Sequence, residues 1–166
     1  MKRSIRMAIM GAVTAFSLLG GISVADAANT SMLKDFHFAH PTFTHPHPFA
    51  KKHILLQISQ DSPARWGLAL NNAQNLLKYF GAEEVQIVFV AFGPGEKMYL
   101  ANSPVAQRIA SMNAEGVEFD ACDNTYKAMT KKMGHPPKLV SQAVMVPAGI
   151  VRIMQLEQHG FDYVKP

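Results

Sequence analysis

The stretch GVEFDACDNTYKAM, from Gly116 to Met129, holds the only cysteine of the 166-residue chain, Cys122. One thiol excludes an intramolecular disulfide, a CxxC redox pair and a multi-cysteine zinc centre. It can still be a nucleophile, an intermolecular link or an inert buried side chain. Cys122 closes the apolar run VEFDAC and precedes DNTYKAMTKKMG, which reads as a helix capped by Asp123 or Asn124 and stopped by Gly134. A helix start offers unpaired N–H groups and the positive end of the dipole, and both favour a thiolate. The charge of Asp123 opposes it. Free cysteine is also a common apolar filler, so placement alone leaves both readings open.

Other candidates are polar residues and glycines at expected strand ends. The backbone amides of Asn124 and Thr125 could steady a negative sulfur. Asn71 and Asn72 interrupt an apolar helix face and could reach the sheet ends or a partner subunit. Gly93 and Gly95 flank Pro94 in a GPG turn that would let a ligand approach the backbone. His37, His40, His45 and His47 form a histidine tract, but prolines stiffen it and no carboxylate or thiolate fixes a geometry. No metal site and no cofactor are therefore assigned. No GxGxxG or GxxxxGK[ST] stands at a strand-to-helix turn, and no Ser-His-Asp set follows from spacing.

The elements that must position these residues are legible as a repeating grammar. HILLQIS, EVQIVFVAFG, VEFDAC, AVMV and the final FDYVKP read as strands, the first of them a continuous apolar run suited to burial on both faces. Between them lie segments with helix starts and stops. The first has Asp61 or Ser62 as cap, Pro63 in the first turn and Gly81 at the end. Trp66, Leu70, Ala73, Leu77 and Phe80 give it one apolar face. Val105, Ile109 and Met112 do the same for the second helix, and Tyr126, Met129 and Met133 for the third. A fourth helix over PAGIVRIMQLEQHG ends at Gly160. Strands alternating with helices imply an α/β fold: three layers, with a mainly parallel five-stranded sheet flanked by helices. Ligands of such sheets gather at the carboxyl ends of the strands, where Cys122 stands.

Residues 1–27 have the form of a signal peptide: Lys2, Arg3 and Arg6, an uncharged apolar stretch from Met7 to Val24, then Ala25-Asp26-Ala27. Residues 28–51, rich in His, Pro and Phe, read as a linker, and residues 52–166 as the α/β domain. Cleavage after Ala27 leaves 139 residues, enough for one domain with its own core. Lys plus Arg falls from 16 to 13 and Asp plus Glu from 12 to 11, so the net charge falls from +4 to +2. No nucleic-acid footprint follows from that balance, and no membrane association is expected once the signal is removed.

Four stretches together carry a family resemblance: LALNNAQNL, VAFGPGEKMYLANSPVAQRIA, GVEFDACDNT and VMVPAGIVRIMQLEQHGFDYVKP. In this order they resemble the DsrE/DsrF-like proteins, in particular the exported single-domain branch, over about His53 to Pro166. The resemblance implies a compact five-stranded α/β fold assembled into oligomers, with homo-oligomers expected here. It also implies a role near sulfur metabolism. In sulfur-relay members a cysteine at the end of a central strand carries sulfur as a persulfide, and Cys122 occupies the matching position. The expected function is thus an exported, periplasmic sulfur carrier or sulfurtransferase-like protein acting through Cys122. Its partners would be a sulfur donor or acceptor protein, or a small sulfur compound. The alternative is a non-catalytic ligand- or partner-binding module of the same fold.

Overall fold

The structure, a computed structural model, describes residues 31–166; the expected signal segment lies outside them. The elements run β1 (Lys52–Ile58), α1 (Pro63–Phe80), β2 (Val85–Ala91), a 3-10 helix (Gly93–Tyr99), α2 (Ala106–Ala114), β3 (Glu118–Cys122), α3 (Asp123–Met133), β4 (Ala143–Val146), α4 (Gly149–Gln158) and β5 (Asp162–Val164). The five strands form one sheet in the order β4-β3-β2-β1-β5, and every pairing is parallel. The expected three-layer α/β architecture is therefore present.

The apolar runs split by alternation between two faces. Ile54, Leu56 and Ile58 of β1, Ile87 and Phe89 of β2, and Phe119 of β3 meet α1, α2 and the 3-10 helix in the larger core cluster. Leu55, Val88 and Val90 point the other way, against Ile153 and Leu156 of α4 and against Phe161. The first helix starts as its sequence dictates. The Ser62 side chain accepts a bond from the Arg65 amide at 3.4 Å, Pro63 occupies the first turn, and Gly81 ends the helix at a φ of 89°. On α3 two readings need correction. Its N-cap is Cys122 itself, without a side-chain cap bond, and Asp123 is the first helical residue. Met133, expected inward, is exposed: it is the last residue of α3, a helix whose only fully buried residue is Asp123.

Residues 28–51, expected as a linker, pack against the domain over the part described. That part holds no helix, but residues 31–50 form a strap lying on the α4 side of the sheet. Ser31 bridges to Met145, the Met32 amide donates to the Met145 carbonyl at 2.9 Å, and Met32 is buried against Val144 and Val146. The anchor of the strap is a buried charge cluster. Arg152 of α4 is fully buried and donates to Asp120 Oδ2 at 2.7 Å and Glu118 Oε1 at 2.9 Å. It also donates to Gln155 Oε1 at 2.7 Å and to the Thr42 carbonyl at 2.9 Å, and its guanidinium lies 5.1 Å from the centre of the Phe43 ring. The backbone N–H and hydroxyl of Thr44 both donate to Glu118 Oε2. Burial, with Glu118 beside it, pushes the Asp120 carboxyl well above its ordinary range, against the pull of the Arg152 guanidinium.

Candidate functional site

The site is built where β2 and β3 end. Their pairing stops at Ala91 with Ala121, yet β3 continues to Cys122, which pairs on its other side with Val146. The chain leaving β2 turns at Gly93, whose φ of 55° suits glycine, and enters the 3-10 helix rather than a plain turn. Gly95 packs directly on the end of β1: a Cβ there would collide with the Ile58 carbonyl and would lie 2.7 Å from the Ser59 nitrogen. This close approach carries the next residue, Glu96, inside the protein, where it is fully buried.

Glu96 then supplies the acceptor that β2 no longer provides. Its Oε2 receives the Cys122 N–H at 3.0 Å. Its Oε1 has no hydrogen-bond partner among the described residues. Burial pushes the Glu96 carboxyl up to about 8 and the nearby Asp123 charge adds to that, against the pull of the Cys122 amide and the Thr125 hydroxyl. Desolvation dominates because no cation neutralises it: Lys97, its neighbour in sequence, pairs with Asp61 at the surface instead. Glu96 was not among the residues singled out in the sequence. The signal that could have found it is the glycine before it, which must be read as a close packing contact rather than as a turn residue.

The first turn of α3 is tied to the same corner. Thr125 Oγ1 accepts the Gly93 N–H at 2.9 Å, and Asp123, mostly buried, pairs with Lys127 at 2.6 Å. Outside this corner opens a cleft of about 450 Å³ lined by Gly93, Pro94, Lys97, Asn124, Thr125, Ala128, Met129 and Lys132. Three expected binding residues, Gly93, Asn124 and Thr125, thus meet in one cleft. Gly95 lies beneath it as a packing residue. Cys122 stands at the expected junction, but it is only 5% exposed and does not line the cleft.

Asn71 and Asn72 are not part of this arrangement. Asn71 is exposed on α1 and its Oδ1 accepts from Arg108 Nη2 of α2 at 2.9 Å, so it fastens two helices together. Asn72 is half-buried and does not line the cleft either. The histidine tract is spent on strap contacts: His37 stacks on His40, His45 faces the Asn113 amide, and His47 faces the Gly116 carbonyl. Among the described residues no three His, Cys, Asp or Glu side chains are grouped to hold a metal ion.

The fold and corner define a parallel α/β domain whose single thiol and a buried, uncompensated carboxyl share one strand end. No family model matches this chain, and no curated protein matches it significantly. Among solved structures it is similar to the protein of unknown function MTH1491 from Methanobacterium thermoautotrophicum. The two are 26% identical with a TM-score of 0.63, and the match covers 70% of this chain and all of the other. That likeness supports the fold.

Proposed function

We propose that this protein is an exported DsrE/DsrF-like sulfur carrier that works through Cys122. The observation that carries the reading is the position of that thiol, at the carboxyl end of a central parallel strand and at the first turn of α3, beside a cleft. In the proposed reaction the Cys122 thiolate attacks the outer sulfur of a sulfane donor such as thiosulfate. The new S–S bond forms as the donor's S–S bond breaks, and sulfite leaves with the electron pair. The resulting persulfide anion is steadied by the helix start around Asn124 and Thr125. An acceptor thiolate then takes the terminal sulfur and regenerates the Cys122 thiolate. Lys132 gives the cleft a basic group suited to an anionic donor. Because Cys122 is largely covered, donor access requires the first turn of α3 to shift. The working form is a periplasmic homo-oligomer that begins at Ala28.

A second reading rests on its own observation. The cleft is lined by Asn124, Thr125 and the two lysines without Cys122, which suits a module that binds an anionic ligand or partner with no covalent step. Intact mass spectrometry after incubation with thiosulfate or polysulfide separates the two, run beside Cys122→Ser. The carrier reading expects a reducible gain of one sulfur atom in the wild type alone. No gain, with Cys122 still open to alkylation, would overturn it in favour of the binding module.

A further inference from the structure

The contact between Glu96 and Cys122 joins two groups that cannot both be charged without cost. Glu96 is fully buried, its Oε2 holds the Cys122 N–H at 3.0 Å, and its Oε1 is unpartnered. Covalent geometry then places the Cys122 sulfur within about 7 Å of the carboxyl. The groups facing Glu96 offer no counter-charge. From α3 come Asp123, an acid already paired with Lys127, and the hydroxyl of Thr125; from the 3-10 helix comes the buried phenol of Tyr99. Lys97 turns outward to Asp61.

We infer that Glu96 is a positioning residue for Cys122 that brakes its reactivity: protonated, it holds the Cys122 peptide without opposing the thiolate, and ionised, it repels both the thiolate and an anionic donor. The inference rests on the reading of Cys122 as the sulfur-accepting thiol, and it names the regulation of that site. No bond to sulfur is made or broken by Glu96. Its proton passes to solvent, and the Cys122 N–H bond is kept in both states. A carboxyl buried to this extent gives up its proton near pH 8, so the brake engages just above neutrality. At a separation near 7 Å and an effective dielectric of about 20, one added negative charge disfavours the thiolate by on the order of tenfold or more.

The test uses Glu96→Gln, which keeps an oxygen acceptor for the Cys122 amide and removes the charge. Rates of alkylation by iodoacetamide and of sulfur uptake from thiosulfate are measured for the full protein between about pH 6 and pH 10. The ratio of variant to wild-type rate reports how far the Glu96 charge disfavours the thiolate in the wild type. It is expected to be flat below neutrality and to rise through about pH 8 by roughly tenfold or more, more steeply with the anionic donor. A ratio that stays flat overturns the role of Glu96, as does a Cys122 that reacts in neither protein at any pH. A rising alkylation ratio without sulfur uptake in the wild type overturns the carrier reading alone and leaves the coupling standing. If the variant does not fold, the carboxyl carbon resonance of Glu96 in the wild type decides. A titration midpoint near 8 is expected, and a midpoint in the ordinary glutamate range overturns the inference.

Discussion

Replacing Arg152 with methionine isolates the energetics of the buried charge cluster. The methionine fills most of the volume but leaves Glu118 and Asp120 without the guanidinium, at positions where neither carboxyl reaches water. In the wild type burial already pushes the Asp120 carboxyl well up, and Arg152 opposes that. Without the guanidinium, a carboxylate buried there must take up a proton. At pH 7, protonating a carboxyl whose ordinary value is about 4.3 costs about 3.7 kcal/mol. The lost bonds to Gln155 and the Thr42 carbonyl add about 1 kcal/mol. The sum, about 4 to 5 kcal/mol, agrees with the cost of breaking a buried pair from one side. At pH 5 the same protonation costs only about 1 kcal/mol, so the gap to wild type narrows by roughly 2 to 3 kcal/mol. Urea unfolding followed by the fluorescence of the buried Trp66 measures both values. Adding Glu118→Gln and Asp120→Asn to the variant removes the need for protons and should recover much of the loss at pH 7. A penalty below about 2 kcal/mol at pH 7, or one equal at the two pH values, would refute the reasoning.

Two other perturbations probe the strand-end corner and the strap. Gly95→Ala forces a Cβ against the Ile58 carbonyl and the Ser59 nitrogen, both backbone atoms that cannot swing aside; we expect a loss of about 2 to 3 kcal/mol and a weakened bond from Cys122 to Glu96, read by thermal melting and by faster exchange of the Cys122 amide. His159 Nδ1 lies 2.7 Å from the Gln155 carbonyl and Nε2 lies 3.0 Å from the Ala39 carbonyl. The ring thus bridges α4 to the strap. His159→Ala removes the bridge, and hydrogen exchange of the strap around Ala39 should quicken; an unchanged rate in the variant contradicts the bridge.

The sheet and its order of elements were readable because each strand-helix unit announces itself locally. Pro63 and Gly81 bracket α1, and the spacing of Trp66, Leu70, Ala73 and Leu77 fixes its inner face. The corner was half readable: Cys122, Asn124, Thr125 and Gly93 follow from where strands stop. Glu96 was not, because its burial is produced by contacts with the end of β1 and with α3, far away in sequence, and a glutamate in GPGEKMY looks like a solvated turn residue. The charge cluster left a trace that can be recognised in hindsight. VEFDAC carries acids at alternate positions of an interior strand, and GIVRIMQL carries its one arginine among apolar residues. Each is implausible alone in a core, and together they pair. The strap was hidden for a different reason. Its prolines forbid helix and ladder, and such a composition is shared by free linkers and by segments pinned through individual backbone and side-chain bonds.

The placement of Ser31 and Met32 also bears on how copies of this chain meet one another. An open parallel sheet has two borders whose unpaired amides and carbonyls can recruit a strand from another molecule. One border here is β5, three residues long and followed at once by Lys165 and Pro166, a charge and a ring that discourage further pairing. The other is β4, four apolar residues with no charge of its own. Its outer side is met by the chain's own Ser31 and Met32, whose bond to Met145 occupies the vacant ladder position. The strap is thus a plug against intermolecular strand addition, and trimming it back past Met32 would convert a self-limited sheet into one with an adhesive side.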